Sequence, residues 1–495
     1  MKLNVKYSFF CVFFLMFSSI SGQAQRGYTL NFLHQVPQQS KLNPAYYTCY
    51  KTYVGFPGVS SVQFQVNNDA FSVNRTFIQR PDTTLLDINR VIGNLSFENN
   101  LGVDFGVDIL SFGFKIGEKN QIHVGLSVEG FANALITKNT LSFFLRGPGN
   151  FLDRRGTEAL SGNSVDMSIY GALAFGYSRI VNEKLSVGGR VKFLSGLANV
   201  HTESSKIDLT IDNGHDLNIT PFTYSFKPDV AIMGSFTNVP EDSNLIYAVK
   251  NLASSIRLPS SITDNFGMGF DIGALYDVSD VVTIGASIND IGFINWNTGL
   301  KKISSRGQER HFVYSGVGNI NDILNNNEFD LMNTFRALKD SLVDYLQINY
   351  ADTTFTTYRT YLRTSYNLSG FYNITDDDQI GIMWNSKFGS RNRVLTIAYT
   401  RMFGPNFSIN VNNSIINENA FNFGGGFALN LGPLQLYVIA DKVSSFRLIN
   451  MRAANVHFGL NLALNRIEKD PTKRKFVRDY TPRDRTGYVN DRWRW

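Results

Sequence analysis

The stretch Asn265–Asn289, NFGMGFDIGALYDVSDVVTIGASIN, alternates residue by residue in two halves joined by a polar turn. In the first half Phe266, Met268, Phe270, Ile272, Ala274 and Tyr276 share one face, and Gly267, Gly269, Asp271 and Gly273 share the other. In the second half Val282, Ile284, Ala286 and Ile288 oppose Thr283, Gly285, Ser287 and Asn289, with Asp277 to Asp280 as the turn. Period two at this length predicts two antiparallel strands with one greasy face and one polar or glycine face. A soluble sandwich could use such a hairpin once or twice. A chain that repeats it almost to its end reads as a barrel whose greasy face meets lipid.

Working outward, alternation places strands near 60–77, 103–116, 121–135, 165–179, 185–202, 265–277, 281–292, 363–374, 379–388, 391–403, 406–416, 420–430, 433–443 and 452–464. That is fourteen, an even number that closes the sheet and leaves both termini on the periplasmic side; lipid cannot satisfy a free edge. The expected fold is therefore all-β, a transmembrane antiparallel β-barrel of about 14 strands. Short turns such as Glu118-Lys119-Asn120, Asp376-Asp377-Asp378 and Gly404-Pro405-Asn406 carry turn chemistry. The long connections, 203–264 and 293–362, hold helical inserts expected outside the cell. Leu245, Val249, Leu252 and Ile256 have helical spacing, and Leu331, Met332, Phe335, Leu338, Leu342, Tyr345 and Leu346 form one stripe. A hairpin extension is expected over Ile207 to Ile219.

Composition agrees with strands rather than helices crossing a membrane. The 495 residues are 43% hydrophobic and include 41 Gly and 22 Tyr. Past the N-terminus no apolar run reaches the length of about 18 residues that a spanning helix needs. Lys2, Lys6, the run Phe9 to Phe17 and Gly22-Gln23-Ala24 are expected to be a signal peptide, residues 1–24. That removes Cys11 and leaves Cys49 without an intramolecular disulfide partner. The net charge of +6 is concentrated in the tail, where residues 465–495 hold ten Lys or Arg against five Asp or Glu. The barrel is near neutral, which gives no reason to expect a nucleic-acid partner. The segments are thus 1–24, a hatch-like 25–58, a barrel 59–465 and a basic aromatic periplasmic tail 466–495.

Ahead of the strands stands Leu42-Asn43-Pro44-Ala45. An Asn-Pro-Ala before a barrel resembles the plug, or hatch, of the long-chain fatty-acid channel family (FadL type). It also resembles related barrels associated with type IX secretion and a large uncharacterised branch of that superfamily. Taken with the strands over residues 50 to 465, the resemblance implies a Gram-negative outer-membrane protein, a fourteen-stranded wall and a passive channel for small hydrophobic molecules.

Each candidate site has two readings. Asn43, Pro44 and Ala45 form a gate, or a plain turn before the first strand. His123, Glu129, Arg190, Lys192, Asp271, Lys387 and Asn461 face the lumen, with Arg401 ambiguous; their charges set selectivity or pair to fill a closed interior. The apolar face Leu331, Met332, Phe335, Leu338, Leu342 and Tyr345 offers a groove to a hydrophobic solute or packs on neighbouring loops. Arg474, Lys475, Phe476, Trp493 and Trp495 dock a periplasmic or outer-membrane protein partner, or belong to a solvated tail. No metal or cofactor is expected: six histidines are spread without ligand spacing, and Asp376 to Asp378 lacks a calcium-loop pattern. No Gly-x-Ser-x-Gly, Walker or His-Glu-x-x-His motif marks an enzyme. The three functions carried forward are the hydrophobic channel, a non-conducting docking platform and a lipid-acting barrel enzyme. A channel calls for a continuous apolar pocket and a lateral opening at a strand kink; a platform calls for a choked lumen.

Overall fold

The computed structural model describes residues 27–68, 77–79, 84–86, 88–146, 158–211, 223–240, 243, 245–255, 264–304, 310–313, 357–387, 393–416, 419–443 and 453–466. The wall begins with β1 (Tyr50–Gly55) and β2 (Val62–Asn68), two pieces of one strand. It continues through β3 (Glu98–Ile116), β4 (Asn120–Thr137), β5 (Ser164–Ile180) and β6 (Leu185–Ile211). After β7 (Thr223–Phe236) come β8 (Phe266–Asp277), β9 (Val282–Trp296), β10 (Ser365–Asn373), β11 (Asp378–Lys387) and β12 (Arg393–Phe403). The last four are β13 (Phe407–Ile416), β14 (Asn419–Leu431), β15 (Leu434–Val443) and β16 (Ala453–Arg466).

The last strand pairs with the first, Val54 with Leu462 and Val62 with Phe458, and the first pairs onward with β3. With β1 and β2 counted together and β7 set aside, this ring is a closed antiparallel barrel of fourteen strands. Closure leaves no ladder donor or acceptor facing hydrocarbon. The alternation decides which side is oily. On β8, Ile272 is 52% exposed and its neighbour Asp271 is 1% exposed. Ile284, Leu368, Ile382, Ile397, Val411 and Val456 are likewise exposed on the outside, and Thr283, Asn367, Thr396, Asn412 and Asn455 are buried within. An apolar exterior around a polar interior is the pattern of a transmembrane barrel, the inverse of a soluble one. No helix among the described residues is long and apolar enough to cross a membrane.

Several expectations are corrected. The first strand was expected at 60–77, yet the wall starts at Tyr50, so Tyr50–Gly55 belongs to the barrel rather than to the hatch-like segment 25–58. Phe56-Pro57-Gly58 interrupts it, which hides the alternation on either side. Strand β6 runs past the wall to Ile211 and returns as β7, pairing as far as Phe236 with Ala198. The hairpin extension therefore comes back over 223–236, beyond the expected limit of Ile219. The helical spacing at 245 yields two short helices, α1 (Leu245–Lys250) and α2 (Leu252–Ser255). Leu245 and Ala248 of α1 pack with Phe236, Met167 and Ile303. Arg401 faces outward: it lies on the exposed face of β12, bonds Asp378 Oδ1 at 3.0 Å and sits over the Phe403 ring. There, at the short-turn rim, the long side chain reaches water while its stem lies along the wall. The stripe 331–346, the tail 467–495 and residues 1–24 lie outside the described residues.

Candidate functional site

Residues 27–49 lie inside the barrel at its short-turn end. All but Lys41 are buried. Two 3-10 turns, Thr29–Phe32 and Pro37–Lys41, fold the segment into an arc, with Pro37 at the start of the second turn where a missing N–H costs nothing. Such a segment exposes many backbone polar groups, and in a closed lumen the wall must satisfy them.

It does so from strand after strand. Gln435 Nε2 donates to the carbonyl of Gln35 at 2.9 Å, Thr400 Oγ1 to that of Phe32 at 3.2 Å and Arg190 Nη2 to that of Ser40 at 2.6 Å. Ser287 Oγ and Asn289 Nδ2 donate to the Leu42 carbonyl at 2.6 and 2.7 Å, and Ser178 Oγ to that of Pro44 at 2.7 Å. Gln38 and Asn461 exchange amide bonds at 2.7 and 3.0 Å, and the backbone N–H of Thr48 donates to Gln121 Oε1 at 2.9 Å. Each net bond contributes about 1 kcal/mol, but each broken one would leave a buried group unpaired. The polar faces of the strands thus act as a socket.

Asn43, Pro44 and Ala45 occupy the tightest part of it. Asn43 Nδ2 donates to the carbonyls of Ala274 and Ala286 at 3.2 and 3.3 Å, and its Oδ1 accepts from Ala45 N at 2.9 Å. The backbone of Pro44 lies where a side chain on Gly188 would begin, and Asn43 Oδ1 lies where one on Gly273 would begin. Phe32 meets Gly381 in the same way, its ring 2.5 Å from the position of a Cβ. Gly188, Gly273 and Gly381 are thus seats of the inner segment.

His34 is held in this layer by Gln379 Oε1 at 2.8 Å from its Nε2 and by Gln39 Nε2 at 2.9 Å from its Nδ1. Gln39 donates, so the neutral Nε2–H tautomer fits both. Burial pushes the imidazole down to about 4 from its ordinary 6.5. Because the depressed value belongs to the folded state, the stabilisation is complete above pH 6.5 and is lost as pH falls toward 4, a change of about 3 kcal/mol. Amide hydrogen exchange of residues 27–49, corrected for its intrinsic pH dependence, should therefore rise steeply between pH 6.5 and 4.5. His34→Gln should flatten that rise, and an unchanged profile would remove His34 as its source.

Above the segment, the lumen holds charge. Asp271 meets Lys192 Nζ at 2.8 Å and Arg190 Nη1 at 3.6 Å, and Lys192 also meets Asp290 at 2.6 Å. Lys41 pairs with Asp108, and Arg363 with Asp104 at 3.4 Å. Glu129 accepts from Tyr170 Oη at 3.4 Å, and His123 sits between Tyr53 Oη at 3.0 Å and Ser178 Oγ at 3.3 Å. A cavity of about 90 Å³ remains, bordered by Lys41, Asp104, Asp108, Glu129, Arg190, Lys192, Arg363 and Lys387. In place of the continuous apolar pocket expected of a hydrophobic channel, the described residues leave a small cavity of mixed lining, in which these charges stand beside Leu30, Leu42, Val107, Phe131 and Leu362. The reason is local: β3, β4, β6 and β8 each place charges on the lumen face.

The first strand is interrupted beside this cavity. From Gly55 to Val62 the chain takes seven residue steps where the facing β16 takes three, Asn461 to Phe458. The surplus forms a turn, Val59 N to Phe56 O at 3.1 Å, stitched to β16 by Phe56 N to Leu460 O and Leu460 N to Val59 O, each 3.0 Å. On the other side Gly58 N donates to Asp108 O at 3.1 Å and Asp108 N to Ser61 O at 2.9 Å. Ser60 and Ser61 turn inward, where Tyr437 Oη donates to the Ser60 carbonyl and Ser61 Oγ meets His457 Nε2 at 2.9 Å. Sequence reading missed this break, although Pro57-Gly58 between two alternating runs marks it.

A family model covers residues 44–441 and is described as a family of unknown function, DUF5723. The chain belongs to this family. No curated protein matches it. Among solved structures, it is similar to a mutant of TodX, a monoaromatic hydrocarbon channel: TM-score 0.40, 9% identity, 90% of this chain and 96% of that one. It is similar to the toluene transporter TbuX of Ralstonia pickettii at TM-score 0.39 and 10% identity, over 87% and 94% of the two chains. A FadL homologue of Pseudomonas aeruginosa matches at TM-score 0.39 and 10% identity, over 90% and 98%. For this DUF5723 member the fourteen-strand closure is read from its own strand pairing.

A barrel enzyme requires a His within hydrogen-bond reach of a Ser or carboxylate at the rim, and one such pair is present. His201 Nδ1 lies 2.7 Å from Asp166 Oδ1 at the long-loop end of the barrel. Among the described hydrogen bonds no serine or cysteine joins that pair, so base and orienting carboxylate stand without a nucleophile. No described cluster of His, Cys, Asp and Glu could hold a metal ion.

Proposed function

We propose that this protein is an outer-membrane channel for small molecules in which residues 27–49 shut the axial path and solute leaves sideways at the break between Gly55 and Val62. The observation that carries this reading is the position of the break: Ser61 and Asp108, which bound it, also border the cavity. A filled short-turn end and an interrupted first strand beside a described cavity complement one another. The surrounding lipid is then both the barrel's solvent and the sink for the solute. The charged lining argues for an amphipathic solute over a pure hydrocarbon.

Deleting Pro57–Ser60 removes four surplus residues and lets Gly55 and Ser61 run on in register with β16. Proteoliposome uptake of a fluorescent fatty acid should fall to background in this variant while heat-resistant mobility on gels is kept. Uptake equal to wild type would sink the lateral route. The filled lumen also favours the second reading, a non-conducting docking platform. No uptake by wild type, with a stable complex recovered from native membranes, would select it.

A further inference from the structure

One cavity residue comes from the far wall. Arg363 stands between Tyr358–Tyr361 and β10, yet its partners are on β3 and β4, six and five strands away around the fourteen. Its base is anchored on its own side: Leu362 N donates to Gly292 O at 2.9 Å and Thr364 Oγ1 to Asp290 O at 3.0 Å. Its guanidinium carbon lies 3.4 Å from the centroid of the Phe131 ring, and Nη1 lies 3.4 Å from Asp104 Oδ1. Gln65 Nε2 holds the other oxygen of Asp104 at 3.2 Å. The side chain therefore bridges the lumen on the long-loop side of the cavity.

The polarity of the ion pairs gives the bridge a selectivity. In Arg363–Asp104 the cation side chain is 32% exposed and the carboxylate 11%; in Lys41–Asp108 the values are 34% and 4%. In both pairs the acid is set into the β3 wall and the base faces the cavity. At these two pairs the surface offered to an entering solute is thus positive, whereas in Lys192–Asp290 the acid is the more exposed partner, 19% against 11%.

We propose that Arg363 is the selectivity bar of this lumen, admitting small organic anions and rejecting neutral molecules of the same shape. This rests on the channel reading and names its substrate class. A neutral solute that pushes the bar aside separates guanidinium from carboxylate in an enclosed site and replaces neither partner. An anion takes the place of Asp104 on the guanidinium, with a fork geometry that suits a carboxylate, while Gln65 stays on Asp104. Phe131 keeps the guanidinium flat during the exchange.

The test uses full-length protein in detergent and fluorine NMR with two probes of like shape, 4-fluorobenzoate and 4-fluorobenzyl alcohol. Wild type should bind the benzoate at least tenfold more tightly than the alcohol. Arg363→Gln should lose that tenfold preference, Arg363→Lys should recover part of it, and Arg401→Gln on the outer rim should leave it unchanged. Equal binding of the two probes by wild type, or an undiminished preference in Arg363→Gln with native gel mobility, would overturn the proposal. Preferential binding of benzoate without uptake into proteoliposomes would support the bar and count against the channel.

Discussion

Gly188→Val should drive the inner segment off the wall, so that trypsin cuts at Lys41 at neutral pH and ion-conducting steps appear in planar bilayers where wild type gives none. The cause is that a Cβ on Gly188 coincides with backbone atoms of Pro44 and Ala45, not with a side chain that could rotate away. A displacement there breaks the Ser178–Pro44 and Ser186–Ala45 bonds and pulls on Asn43, held at Ala274 and Ala286. The barrel ladder itself is untouched, since Gly188 keeps extended backbone that valine favours. Gly106, which has open space around its Cβ position, is the control, and Gly106→Ala should leave the segment protected. Protection of Lys41 in Gly188→Val would mean that the segment is not seated on this strand.

Asp271→Ala should be the most destabilising single change in the lumen, lowering stability by about 3–5 kcal/mol. Its side chain is fully buried between Lys192 and Arg190, and its Oδ1 also accepts the backbone N–H of Asp290 at 2.7 Å. That last bond fixes a residue with φ 61°, where the β9 ladder shifts register against β8. Truncation removes the carboxylate that the two buried cations share and leaves Lys192 with Asp290. The urea concentration at which heat-resistant gel mobility is lost should fall clearly, and Arg190→Gln in the same chain should recover part of the loss by removing the cation whose ion-pair partner was Asp271. A midpoint within experimental scatter of wild type would contradict the placement of this cluster in a water-poor interior.

The wall was legible because hydrocarbon and lumen impose opposite demands on successive residues. Ile122, Val124, Leu126 and Val128 against His123, Gly125, Ser127 and Glu129 is enough to place β4 and its facing. Arg190 and Lys192 pointed inward for the same reason, since hydrocarbon tolerates neither. What the sequence hid are the features that pay no heed to period two. The first strand is cut by Phe56-Pro57-Gly58, so neither half is long enough to show its alternation. Strand β7 contains Pro228, and it reads as a loop. The seats of the inner segment were visible as glycines at 188, 273 and 381, but nothing local says that the backbone of Pro44, 144 residues upstream, lies on Gly188. Arg363 is the extreme case, because its meaning depends on Asp104 and Phe131, which are distant in sequence and meet it only across a closed ring.

The most direct check on the membrane assignment is a cysteine scan along Val394–Phe403 of β12, on a chain with Cys11 and Cys49 changed to Ser, in liposomes with a lipid-borne fluorescence quencher. Labels at 395, 397 and 399 should be strongly quenched, and those at 394, 396 and 398 should react poorly and escape the quencher. Quenching that is uniform along the strand, or strongest at 394, 396 and 398, would contradict a barrel with its oily side outward.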